Sequence, residues 1–114
     1  DLAKEMRRHQ IKTAIFSNIF SMNAKELRRR GMYDGFDPVI LSCEVHYAKP
    51  DHEFYEYAME QLGVPPEDIL LIDDQEKCLS KARELGMKVV VATSPEQIIA
   101  DTKAVIFAEN GIHL

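Results

Sequence analysis

Only two cysteines stand in the 114 residues, and no apolar run approaches the roughly 18 residues that a membrane span requires. Cys43 and Cys78 are far apart and fit no metal or redox spacing. They read as buried thiols of a reducing cytoplasm, with a disulfide as the lesser alternative. A surplus of positive charge is also lacking: 14 Lys and Arg against 19 Asp and Glu leave a net charge of −5. That balance argues against general nucleic-acid binding and against adhesion to an anionic membrane. Low-complexity segments, internal repeats and a signal-peptide pattern are missing too. The remaining class is a cytoplasmic globular domain, with one core spanning residues 1–114. The chain opens on Asp1 without an initiator methionine, as a fragment or a processed product would.

The stretch that organises the rest is Ile69-Leu70-Leu71-Ile72-Asp73-Asp74. Four consecutive large apolar residues between turn signals suit a strand buried on both faces. Two adjacent carboxylates at its carboxyl end are costly unless solvent, donors or a cation receive them. In a parallel α/β sheet that end is where ligands bind. The pattern therefore points to a carboxylate pair at a sheet rim that grips a hard cation.

In chain order, residues 1–10 read as the end of an amphipathic helix, followed by a strand over 12–18 that ends in Ser17-Asn18. Asn23 is placed to cap a helix that Gly31 stops, its Arg28-Arg29-Arg30 run forming a solvated last turn. Val39 to Ser42 is a short strand, and Lys49-Pro50-Asp51 opens a helix with Phe54, Ala58, Met59 and Leu62 inward and Gly63 as its stop. After the acidic pair comes a helix over about 75–85 with Cys78, Leu79, Ala82 and Leu85 as its stripe. Then follow a strand over 88–92, a short helix from Ser94, and an edge strand over Ala104-Val105-Ile106-Phe107. Strands alternate with helices and are apolar throughout, the pattern of a parallel sheet covered on both faces. Right-handed crossovers put Ser17-Asn18 and Asp73-Asp74 at one rim, with the Lys49 loop nearby.

Each of these features has a plain alternative. Ser-Asn after a strand is commonly a turn, a lone lysine is usually on the surface, and paired aspartates cap helices. His46 is either near the site or simply on the surface. Tyr47, Tyr55 and Tyr57 either shape a substrate entrance or pack a helix, and His9, His52 and His113 share no metal spacing.

Taken in order, the stretches Ile15-Phe16-Ser17-Asn18, Ala48-Lys49-Pro50-Asp51 and Ile69 to Asp74 resemble the second, third and fourth motifs of the haloacid dehalogenase (HAD) superfamily. Most members of that superfamily are magnesium-dependent phosphatases. Leu41 to Val45, Leu62 to Asp68 and Lys81 to Met87 are also similar to it, so the resemblance runs from about residue 11 to about residue 107. It implies a three-layer Rossmann-like α/β fold, a parallel sheet with helices on both faces. It further implies that Ser17 and Asn18 bind the phosphoryl group. Lys49 sets a positive charge beside that group and the nucleophile. Asp73 and Asp74 hold Mg²⁺, which prefers oxygen ligands and retained waters. The implied reaction is hydrolysis of a small phosphorylated substrate through an aspartyl-phosphate.

The family's first motif, an Asp-x-Asp on a strand at the middle of the sheet, has no match in this sequence, and neither has its cap. The resemblance is thus to the carboxyl-terminal part of a core domain lacking the first-motif strand. Two expectations follow. The chain alone is not a competent phosphatase and binds Mg²⁺ weakly. The seam left by the missing strand is closed by direct pairing of its neighbours, by strand exchange in a homodimer, or in a longer chain. The rival reading is a truncated, non-catalytic binding or assembly module. A response-regulator receiver fits less well, because the acidic pair comes late and no earlier strand ends in a phospho-acceptor aspartate. Dehalogenation fits less well too, because the family's dehalogenases do without Mg²⁺.

Overall fold

A computed structural model describes residues 2–114. Asp1, on which the expected first helix begins, lies outside the described residues. The elements are α1 (Leu2–Arg8), β1 (Ile15–Ser17), α2 (Ser21–Arg29), β2 (Val39–Leu41), α3 (Ser42–Val45), α4 (His52–Leu62), β3 (Leu70–Asp73), α5 (Glu76–Glu84), β4 (Lys88–Val91) and α6 (Pro95–Asn110), with a 3-10 turn at Pro66–Asp68. They divide into two compact units, residues 12–64 and the remainder.

Within residues 12–64, β1 and β2 form a parallel ladder with Ile15, Phe16 and Ser17 opposite Val39, Ile40 and Leu41. Ile40, Phe54 and Ala58 form the buried centre, and Phe16, Val45 and Tyr57 pack against it. The Phe16 and Phe54 rings meet edge to face at 5.9 Å, the arrangement favoured by the ring quadrupoles. The inward face of α4 is Phe54, Tyr55 and Ala58, so Tyr55 packs the helix. Gly63, at φ 69°, closes α4 with its N–H on the Met59 carbonyl, a left-handed cap that suits glycine.

The second unit repeats the strand-helix-strand unit. Leu70, Leu71, Ile72 and Asp73 of β3 lie opposite Lys88, Val89, Val90 and Val91 of β4, again in parallel. Cys78, Leu79 and Ala82 of α5 are buried, as their helical spacing predicts. Cys43 is half-buried and Cys78 buried, and no disulfide joins them.

The parallel α/β class stands, but several details differ from the expectation. Among the described residues the strands pair as two two-stranded ladders, β1-β2 in one unit and β3-β4 in the other. Ile72 of β3 and Val91 of β4 are 36% and 41% exposed. Asn23 does not cap α2, because the helix already begins at Ser21, with Phe20 at the cap position and no side-chain cap bond. The α4 cap is Asp51, which puts Lys49-Pro50 in the loop before the helix.

Ala104 to Phe107 is helix, not an edge strand. Four apolar residues in a row do not distinguish the two states, and here the surroundings decide. Ser94 and Gln97 form a reciprocal capping box, Pro95 fills the first turn and Gly111 provides a left-handed end. Thr102 and Ile106, one turn apart, then face the core.

The Thr102 side chain is fully buried, and its hydroxyl has no hydrogen-bond partner among the described residues. An unsatisfied buried hydroxyl costs roughly 1–3 kcal/mol. Thr102→Val keeps the branched shape and removes that cost, so chemical denaturation should show it more stable by about 1–2 kcal/mol. A loss of stability would mean that the hydroxyl has a native partner.

Candidate functional site

Ser17 closes β1, and Asn18 is the first residue beyond it. The Asn18 side-chain amide grips the backbone of Lys49, 31 residues away. Its Nδ2 donates to the Lys49 carbonyl at 2.7 Å, and its Oδ1 accepts the Lys49 N–H at 2.8 Å. A primary amide is the side chain that supplies one donor and one acceptor in a fixed plane, as this pairing requires. Ser17, Asn18 and Lys49 are therefore brought together within one unit. Asn18 acts there through its side chain as a brace, a role not read from its position after a strand.

The loop carrying Lys49 is shaped by α3, a single turn that the sequence did not reveal. Its end is His46 in the left-handed conformation, φ 64°, with its N–H on the Ser42 carbonyl at 3.0 Å. Histidine is among the few non-glycine residues that tolerate this region, and His46 is exposed. Arg28 of α2 ties α3 down through Glu44 at 2.7 Å, while Arg29 pairs with Glu26 within its own helix. Two of the three consecutive arginines thus have carboxylate partners on the surface. The Arg28 guanidinium also lies 5.8 Å from the centre of the Tyr33 ring. Burial holds the Tyr33 phenol above its ordinary pKa; Arg28 works in the opposite sense, and Cys43 and Glu44 reinforce the rise. A shallow groove of about 640 Å³ adjoins the brace, lined by Asn18, Ile19, Phe20, Ser42, Cys43 and Ala48 among others.

In the other unit, β3 delivers the acidic pair at its carboxyl end. Asp73 is half-buried and Asp74 exposed. The Asp73 carbonyl accepts the Ala92 N–H at 2.8 Å, and its Oδ1 accepts the Gln75 N–H at 3.0 Å. That second bond is the aspartate turn in which the side chain bonds the backbone two residues on. It occupies one carboxylate oxygen and fixes the direction of the chain into α5, whose cap residue is Gln75 rather than either aspartate. Among the described residues, no group of three or more His, Cys, Asp or Glu side chains is placed to hold a metal ion. Two adjacent carboxylates do fit Mg²⁺, which is commonly held by one or two carboxylates while it keeps several waters.

Residues 1–77 match the model of the haloacid dehalogenase-like hydrolases. The chain belongs to this family. The match ends just beyond Asp73-Asp74 and includes Ser17, Asn18 and Lys49. The pyrimidine 5'-nucleotidase YjjG of Escherichia coli is 38% identical over 59% of this chain and 31% of its own length. The glyceraldehyde 3-phosphate phosphatase of Methanocaldococcus jannaschii is 36% identical over 58% of this chain and 29% of its own length. The chain thus spans less than a third of either relative. A HAD family enzyme of Bacteroides thetaiotaomicron, solved in complex with magnesium and inorganic phosphate, is 26% identical. It aligns with a TM-score of 0.73 over 82% of this chain and 50% of its own. No helix among the described residues of this HAD-like hydrolase chain is long and apolar enough to cross a membrane.

Proposed function

We propose that this chain carries the phosphate-binding and metal-binding part of a Mg²⁺-dependent phosphatase core acting on small phosphate esters. The observation that carries the reading is the two-way amide bond between Asn18 and the Lys49 backbone, which keeps Lys49 beside the turn after Ser17. The two phosphatase relatives and the neighbour solved with magnesium and phosphate support the same chemistry.

In this reading Ser17 donates its hydroxyl to a phosphoryl oxygen. Lys49 balances the negative charge that spreads over the phosphoryl oxygens as the ester bond breaks. Asp73 and Asp74, in the other unit, would hold Mg²⁺, whose chemistry when bound is to offset negative charge on oxygen. The nucleophile belongs to an Asp-x-Asp strand that this sequence does not contain. In the complete parent, that aspartate attacks phosphorus and the motif's general acid protonates the departing alcohol; the same group, now a base, takes a proton from the water that cleaves the aspartyl-phosphate to inorganic phosphate. The chain alone then binds weakly and does not turn over. The test is hydrolysis of an aryl phosphate by the folded chain with and without Mg²⁺. No Mg²⁺-dependent turnover is expected, and turnover that Asp74→Ala abolishes would overturn the reading.

A second reading concerns assembly. Each ladder has only two strands among the described residues, and Ile72 stays 36% exposed on β3. Unpaired strand edges recruit further strands. We propose that the isolated chain covers them by strand exchange in a homodimer. Sedimentation equilibrium should show a dimer; a monodisperse, cooperatively folding monomer would rule this out.

A further inference from the structure

The brace between Asn18 and Lys49 is itself held from behind. Ser42, the first residue of α3, grips both backbone groups of Ile19, the residue next to Asn18. Its Oγ accepts the Ile19 N–H at 2.9 Å and donates to the Ile19 carbonyl at 3.3 Å. Ser42 is in turn seated by the bond of its carbonyl to the His46 N–H and, two residues along α3, by the Arg28–Glu44 pair. A single helical turn has too few internal bonds to be rigid unaided, so these outside contacts determine where the Ser42 hydroxyl lies. Ile19 and Asn18 share a planar peptide unit. Fixing both polar groups of Ile19 therefore restricts how the Asn18 backbone, and with it the amide side chain, can turn.

We infer that Ser42 is a positioning residue that acts on Lys49 through Ile19 and Asn18. Its hydroxyl orients Ile19, Ile19 orients Asn18, and Asn18 holds the Lys49 backbone at both polar groups. The functional consequence rests on the phosphate-site reading of Ser17 and Lys49, but the relay exists without a ligand and is measured without one. A failure of the relay and a failure of the phosphate reading are therefore distinguishable.

A packing role for Ser42 would loosen only its own surroundings, whereas a relay has an order. Amide hydrogen exchange of the full chain, followed residue by residue by NMR, reads that order. Ser42→Ala should speed exchange at Ile19 and also at Lys49 by about tenfold, the loss expected for one hydrogen bond. The β3–β4 amides should stay unchanged. Asn18→Ala should expose Lys49 while Ile19 stays protected. Ser42→Thr keeps a hydroxyl and should leave both protected. An unchanged Lys49 in Ser42→Ala would overturn the relay. So would an Ile19 that opens equally in Asn18→Ala, or a Ser42→Thr chain that behaves like the alanine variant. Should Ser42→Ala fail to fold, the Asn18→Ala and Ser42→Thr results decide the matter in the same terms.

Discussion

One side-chain amide joins two distant parts of the sequence. Asn18 pairs with the Lys49 backbone as donor and as acceptor across 31 positions, and both positions sit in family motifs. Without such a brace a lysine in a loop is a solvated, mobile charge with about 2 kcal/mol of side-chain entropy to lose on ordering. With its backbone pinned, the loop that carries it is already ordered. Preorganisation of this kind is how a modest number of groups can stabilise developing charge without reorganising during reaction.

The acidic pair follows a different logic. Asp73 ends a strand, uses one carboxylate oxygen to turn the chain and offers its carbonyl to Ala92. Asp74 follows it into the exposed turn. The turn satisfies part of what two adjacent carboxylates demand. A strand end is a suitable place for this, because backbone pairing fixes the position while the next residue is released to solvent.

Features set by local chemistry were legible in the sequence. Gly63 and Gly86 marked helix ends, the stripe Cys78, Leu79 and Ala82 marked a buried helix face, and the apolar runs marked parallel strands. The ordered motifs placed Ser17, Asn18, Lys49, Asp73 and Asp74 at strand ends and in a loop. Four features were not legible. α3 is one turn long, below any periodic signal. Ala104 to Phe107 satisfies a strand pattern and a helix pattern equally, and a distant cap decided between them. Phe20 occupies a cap position without cap chemistry, so Asn23 looked the better start. The grips of Asn18 on Lys49 and of Ser42 on Ile19 join residues far apart in sequence, and no residue pattern announces them.

The central claim is that Ser17 and Lys49 form an anion site and that Asp73 and Asp74 form a cation site. It is tested most directly by titrating the isotopically labelled chain with inorganic phosphate and, separately, with Mg²⁺, following every backbone amide by NMR. The account predicts that phosphate moves the resonances around Ser17, Asn18 and Lys49, and that Mg²⁺ moves those around Asp73 and Asp74. Shifts confined to other surfaces, or none at these residues at saturating ligand, would contradict it.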